Sequence, residues 1–203
     1  MSEARTDISI YYQGHGSLRF SFGDTVIYVD PYAGGGYDVP ADAVLVTHEH
    51  FDHNAVDLPA KKPGCRVIRS ADALAGGVYN SFSVGDVGIL SVPACNRNHP
   101  INECVGYVLS FGGKKIYCAG DTSYTDFMSD GLPGMSLDVA LLPTDGVYNM
   151  DVSEAARCAG IIGAKVSIPI HTKPGSLYDE AYAARFDAPG AFYLKPGETY
   201  RLK

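Results

Sequence analysis

What the sequence lacks narrows it before any motif is read. No segment approaches the roughly 20 consecutive apolar residues that a membrane-spanning helix needs. The opening stretch M-S-E-A-R-T-D-I-S-I has no apolar core of the kind a secretory leader carries. No C-x-x-C pair occurs among the scattered cysteines Cys65, Cys95, Cys104, Cys118 and Cys158. That pattern points to buried, reduced thiols and a cytoplasmic setting rather than to a disulfide frame. No Lys/Arg run relieves a net charge of −7, so neither a nucleic-acid surface nor a membrane partner is expected. Tryptophan is absent, which says nothing about function.

What is present is an ordinary globular balance of 46% apolar and 19% charged residues over 203 positions, expected to form a single domain spanning 1–203. Short β-rich runs divided by Gly, Pro and Asp dominate. The pattern predicts strands at 8–12, 17–22, 26–29, 44–46, 65–68, 82–84, 87–92, 106–111, 115–119, 139–142 and 166–170. F-G-G-K makes 106–119 a hairpin. A helix is predicted from Asp151 or Ser153 to the stop at Gly163, with further helical candidates at 52–58, 71–75 and 177–185. No internal repeat is evident. Mixed strands and helices without a linker give the α/β class.

Three of the six histidines crowd into T-H-E-H-F-D-H, just after the 44–46 strand. His48, His50, Asp52 and His53 form H-x-H-x-D-H at a strand-to-loop end, where a site can open to solvent. Imidazole and carboxylate donors suit Zn²⁺, Mn²⁺ or Fe²⁺. His48 and His50 can point together toward one ion, while Asp52 and His53 turn toward a second. Three further candidates end other predicted strands: His99, Asp121 and His171.

In this order, H-x-H-x-D-H, His99, G120-D121-T122 and His171 resemble the metallo-β-lactamase superfamily, along nearly the whole chain. Q-G-H-G-S, V-D-P-Y, N-M-D, I-P-I-H-T and L-K-P-G-E are similar to segments of its ascorbate-6-phosphate lactonase-like group. The resemblance implies an αββα four-layer sandwich, two mixed sheets flanked by helices. It also implies two divalent cations per chain, zinc first, with manganese or iron as alternatives. His48, His50 and His99 would hold one ion, Asp52, His53 and His171 the other, and Asp121 would bridge. Cys118 would lie inside its strand, away from the ligands.

The chemistry expected of such a centre is metal-activated hydroxide attacking a small ester, lactone or phosphoester, with Asp52 orienting it or taking its proton. Asp30 is read either as a hydrogen-bond acceptor for a ligand histidine or as a turn former before Pro31. His15 is read either at the pocket rim, touching substrate or a ligand, or as a structural histidine in a Gly-flanked turn. Thr122 and Tyr124 are candidates for the pocket wall, and Lys173 is read as solvated in preference to meeting an anionic substrate group. Tyr32, Tyr37 and Phe51 are candidates for a pocket rim or an interface. The partner expected is a small molecule; homo-oligomerisation is left open. The competing readings are a nuclease, disfavoured by the acidic charge and the lack of a basic arm, and a non-hydrolytic two-metal redox protein.

Overall fold

The computed structural model of the chain describes residues 7–202. The reading of the first residues as free of a leader falls mostly on residues 1–6, which lie outside them. Alternation starts the first sheet. In β1 (Ile8–Gly14), Ile8, Ile10 and Tyr12 are buried while Ser9 and Tyr11 stay partly exposed. β2 (Ser17–Phe22) repeats the pattern with Leu18, Phe20 and Phe22. β3 (Thr25–Val29), β4 (Ala41–Leu45) and β5 (Lys61–Ile68) follow. β4 lies between two parallel neighbours and is almost wholly buried, as its unbroken apolar run suggests.

A single turn, α1 (Ser70–Ala73), and the small ribbon β6 (Leu74–Ala75) with β7 (Val78–Tyr79) lead across to the second sheet. That sheet holds β8 (Ser81–Val84), β9 (Val87–Pro93), β10 (Val105–Phe111) and β11 (Lys114–Cys118). β10 and β11 form the expected hairpin, its two-residue turn Gly112-Gly113 having φ of 56° and 80° as a type I′ turn requires. After α2 (Asp126–Asp130) and a 3₁₀ turn at Pro133–Met135 come β12 (Val139–Pro143), α3 (Val152–Ile162), β13 (Val166–Ile170), α4 (Glu180–Ala183) and β14 (Thr199–Leu202). The spatial orders are β14-β1-β2-β3-β4-β5 and β13-β12-β11-β10-β9-β8, each part antiparallel and part parallel.

The sheets face each other over one core, where Phe20, Ile27 and Leu45 meet Ile89, Tyr107, Leu141 and Ile168. The outer face of the second sheet packs on α2 and α3 through Val108, Tyr117 and Leu142 against Met128, Cys158 and Ile162. The outer face of the first is covered mainly by irregular chain, with Tyr37, Val39 and Val56 over Tyr28 and Val44. This is the α/β sandwich of two mixed sheets that was expected, with few helices. No helix among the described residues is long and apolar enough to cross a membrane.

Several local expectations shift. The predicted helix at 52–58 is a series of turns, because His53 N–H bonds to His50 O, Ala55 N–H bonds to Pro31 O, and the Asn54 amide donates to Glu49. The helical stretch at 71–75 is Ser70–Ala73, after which the chain enters β6. That at 177–185 shrinks to Glu180–Ala183, since the Asp179 carboxylate accepts from Tyr182 N–H and caps the helix there. The long helix is as predicted: Asp151 caps it by accepting from Glu154 N–H, and Gly163 ends it at φ 67°.

Candidate metal centre

One edge of the sandwich collects the ends of seven strands. His15 follows β1, Asp30 follows β3, and the H-x-H-x-D-H loop follows β4. His99 lies beyond β9, Asp121 beyond β11, Asp145 beyond β12 and His171 beyond β13. The parallel strands β3, β4, β11, β12 and β13 all deliver a polar residue from their carboxyl ends, where α/β sheets place their sites.

The histidines and carboxylates form two groups. His48, His50 and His99 bring one ligand atom each within 4.8 Å of one another, and so do His15, Asp52, His53 and His171. Asp121 lies between them. Its Oδ2 is 3.4 Å from His99 Nε2 and 3.4 Å from His171 Nε2, and its Oδ1 is 3.6 Å from His53 Nε2. All seven residues anticipated as ligands are therefore together. His15 joins them in the interior rather than at a rim: it is buried, stacked 3.7 Å from the His171 ring, with Nε2 3.2 Å from Asp52 Oδ2.

On four of the imidazoles the ring nitrogen facing away from this centre lies beside an oxygen, which fixes how the ring points. His53 Nδ1 donates to Asp30 Oδ2 at 3.0 Å. The same carboxylate accepts the Thr47 hydroxyl at 2.6 Å and the Thr47 N–H at 2.7 Å. Because that hydroxyl spends its proton on Asp30, it accepts from His48 Nδ1 at 3.0 Å. His99 Nδ1 donates to Asn96 Oδ1 at 2.9 Å, and His171 Nδ1 lies 3.1 Å from Asp145 Oδ2. Asp30 thus meets the acceptor expectation, and its φ of 48° shows it is also a special backbone position.

Three of the opposite nitrogens make no hydrogen bond. Nε2 of His48, His53 and His171 are buried without a hydrogen-bond partner. Buried polar groups are rarely left so, and a set of convergent nitrogens around a carboxylate is the donor set of a divalent cation. Tautomers held by carboxylate, hydroxyl and amide oxygens on the far side are how metal-binding imidazoles are oriented. The residues present fit the group.

Charge in the cluster is strongly coupled. Burial, then the neighbouring imidazoles, push His48 down to about 2, although Asp121 pulls the other way. Burial would also lower His53, but Asp121 and Asp30 outweigh it and raise the group to about 9. His171 is raised in the same manner, by Asp121 and Asp145 against burial. Burial lowers His99. Burial would raise Asp121 and Asp52, yet the surrounding histidines hold both carboxyls well below the usual range.

Backbone strain is confined largely to this edge. His15, Asp30 and His171 take φ of 55°, 48° and 48°, and with Ser136 they are the non-glycine residues of positive φ among those described. His171 N–H bonds to His15 O, tying two of them together. Gly120 needs its φ of 66°, and a Cβ there would lie 2.8 Å from Val105 O. At Gly16 a Cβ would come within 2.8 Å of the His53 ring.

Three anticipated wall or rim residues are elsewhere. Thr122 is buried, its hydroxyl pairing with the Cys95 backbone and so joining two site loops. Tyr124 turns to α2, donating its hydroxyl to Ser129. Tyr37 stacks on Tyr28 beneath the irregular layer. Tyr32 and Phe51 do line the cleft, Lys173 sits in solvent near Asp179, and Cys118 is inside β11. The sequence reading missed Asp145, Thr47 and Asn96. Asp145 had a signal, since it follows the buried run of β12 as Asp30 follows β3, but T-D-G reads first as a turn.

Comparison with known proteins agrees with this fold. A family model described as a beta-lactamase superfamily domain matches residues 9–171. A UPF0173 metal-dependent hydrolase of Symbiobacterium thermophilum is 33% identical, with 96% of this chain and 100% of that protein covered. One of Thermus thermophilus is 32% identical over 96% of this chain and 99% of its own length. Among solved structures, a metallo hydrolase from the archaeon Ignicoccus hospitalis shares the fold at a TM-score of 0.78 and 22% identity, covering 98% and 99% of the two chains. A site of convergent, outward-braced imidazoles in a sandwich of this topology, matched along four-fifths of its length, makes the chain a metal-dependent hydrolase of the metallo-β-lactamase superfamily.

Proposed function

We propose that the chain hydrolyses a small ester, lactone or phosphoester at a centre of two divalent cations. His48, His50 and His99 would hold one, Asp52, His53 and His171 the other, and Asp121 would be shared. The observation that carries this is the trio of buried, unpartnered Nε2 atoms on His48, His53 and His171 around a carboxylate in reach of both groups. Cations bound there would supply Lewis acidity and bring the pKa of a water from about 15.7 toward about 7. Zinc is the first candidate, with manganese and iron next, because the donors are nitrogen and oxygen.

The chain's own residues do the rest. Asp30, Thr47, Asn96 and Asp145 keep Nε2 of His53, His48, His99 and His171 turned inward. Asp52 lines the cleft and is held ionised at neutral pH, so it can orient the attacking water and accept a proton. His15, with Nε2 beside Asp52 Oδ2 and Nδ1 3.3 Å from Ser176 O, fixes the direction of that carboxylate. The partner is a small molecule admitted through an open cleft of about 650 Å³.

The test is hydrolysis of an aryl ester, a lactone and bis(p-nitrophenyl) phosphate before and after chelation, alongside His50→Ala and Asp52→Ala. Activity lost on chelation, restored by Zn²⁺ or Mn²⁺ and abolished in both folded variants supports the reading. Full turnover in a folded His50→Ala or Asp52→Ala variant would sink it.

A further inference from the structure

The hydrolytic reading leaves ester, lactone and phosphoester substrates side by side, and the walls of the cleft distinguish them. Resting on that reading, we propose that the cleft selects an uncharged substrate bearing an aromatic or alkyl group, seated against Phe51, Tyr32 and Tyr148.

The first observation is what the walls contain. Beyond the site residues, the cleft is lined by Tyr32, Phe51, Tyr148, Pro174 and Gly175 with Glu49 and Asn98, and no lysine or arginine is among the described residues that line it. Phosphate and carboxylate groups are ordinarily met by arginine forks or lysines. Three cations close in sequence to lining residues have partners of their own. Arg69 Nη1 bonds both Glu49 oxygens at 2.9 and 2.8 Å, Lys173 lies 3.5 Å from Asp179, and Arg97 donates to Val147 O.

The second observation is charge. Two divalent cations would carry four positive charges, and the centre already holds four carboxylates, on Asp30, Asp52, Asp121 and Asp145. A loaded centre therefore has no surplus with which to draw an anion into the cleft. The net charge of −7 on the chain opposes one further.

The third is the apolar surface left in water. Phe51, on the ligand loop itself, is 77% exposed, and Tyr148 on the facing loop is 52% exposed. Phe51 stands edge-on to Tyr32 with ring centroids 5.9 Å apart, which makes a ready two-ring wall for an aryl or alkyl group, and Tyr148 lines the same cleft. Phe51 lines the same cleft as His50, Asp52 and Asp121, so a group resting on it shares that cleft with the reacting centre.

The experiment compares two acetate esters with the same scissile bond, 4-methylphenyl acetate and 4-sulfophenyl acetate, on the zinc-loaded full chain. The expected result is at least a tenfold higher kcat/KM for the methyl compound, expressed in KM. Phe51→Ala should raise KM for that ester about tenfold and leave the sulfonate unchanged. Phe51→Trp supplies a binding readout without turnover, since the chain has no other tryptophan. Its emission should shift with 4-methylacetanilide at concentrations at least tenfold below those needed with 4-acetamidobenzenesulfonate. Equal or better use of the sulfonate ester overturns the proposal while leaving the hydrolytic reading intact. If neither acetate ester is cleaved, the lactone and phosphodiester assays decide the hydrolytic reading separately, and the tryptophan titration decides the cleft: preference for the neutral anilide supports the proposal, and no preference or no binding overturns it.

Discussion

Asp30→Asn is the substitution that most sharply separates a metal centre from a histidine-rich core. The carboxylate is 2% exposed and serves three donors at once: His53 Nδ1 at 3.0 Å, the Thr47 hydroxyl at 2.6 Å and the Thr47 N–H at 2.7 Å. Through the hydroxyl it also sets His48. An asparagine keeps the volume and can still accept from Thr47 N–H with its oxygen. Its amide nitrogen then faces both His53 Nδ1 and the Thr47 hydroxyl, donor against donor. His53 escapes the conflict by moving its proton to Nε2, the atom aimed at Asp121. A single lost outer partner of a metal-binding histidine costs about 10–100-fold in affinity. Two histidines depend on Asp30, so the upper end, about 100-fold, is expected. The accompanying stability loss should be about 1–3 kcal/mol, the cost of leaving one buried donor unmatched. Competition for Zn²⁺ against a chromophoric chelator measures the first, and thermal melting of the metal-free protein the second. Zinc affinity within twofold of the parent, in a folded variant, would refute the reasoning.

Other consequences follow from the same geometry. His53, raised to about 9, carries a proton in the metal-free protein at pH 7 and must lose it to bind a cation. Zinc affinity should therefore climb about tenfold per pH unit up to about 9, with protons released into the buffer, as calorimetry in buffers of different ionisation enthalpy will show. The sign for folding is opposite: the raised pKa stabilises the metal-free chain below about 6.5, and that contribution disappears as pH rises through about 9. Gly120→Ala should destabilise by more than about 1 kcal/mol, since φ is 66° and the new Cβ meets Val105 O at 2.8 Å; a melting temperature within a degree of the parent contradicts this. Asp138 accepts from Lys115 N–H at 3.0 Å and from Lys165 Nζ at 2.8 Å, and although burial opposes them these partners lower its carboxyl. Its stabilisation is present above about 3.9 and lost as pH falls through the lower folded value, so Asp138→Asn should flatten the acid limb of stability.

Much of the centre was legible because its pieces are local. H-x-H-x-D-H follows a buried apolar run, and a strand buried on both faces in a mixed sheet ends where chemistry can open to solvent. His99, Asp121 and His171 were legible for the same reason, each lying beyond an apolar run. The misses are tertiary. Residues 52–58 have the composition of a short helix, but the need to aim Asp52 and His53 inward, with Ala55 tied to Pro31, holds them in turns. His15 was left between a pocket rim and a structural turn because nothing in G-H-G-S announces a φ of 55° or the stacking on His171 that buries it. Asp145 was passed over as part of a turn, although it braces His171 across the sheet. β14 escaped notice because four alternating residues, Thr199–Leu202, become a strand only beside β1.

The central claim is a pair of cations held by seven side chains, and the most direct measurement is metal per chain. The full-length protein, loaded with Zn²⁺, freed of excess by gel filtration and measured by elemental analysis, should carry about two ions, falling to about one or fewer in Asp121→Ala, which removes the carboxylate in reach of both groups. No retained metal in the folded parent protein would contradict the account.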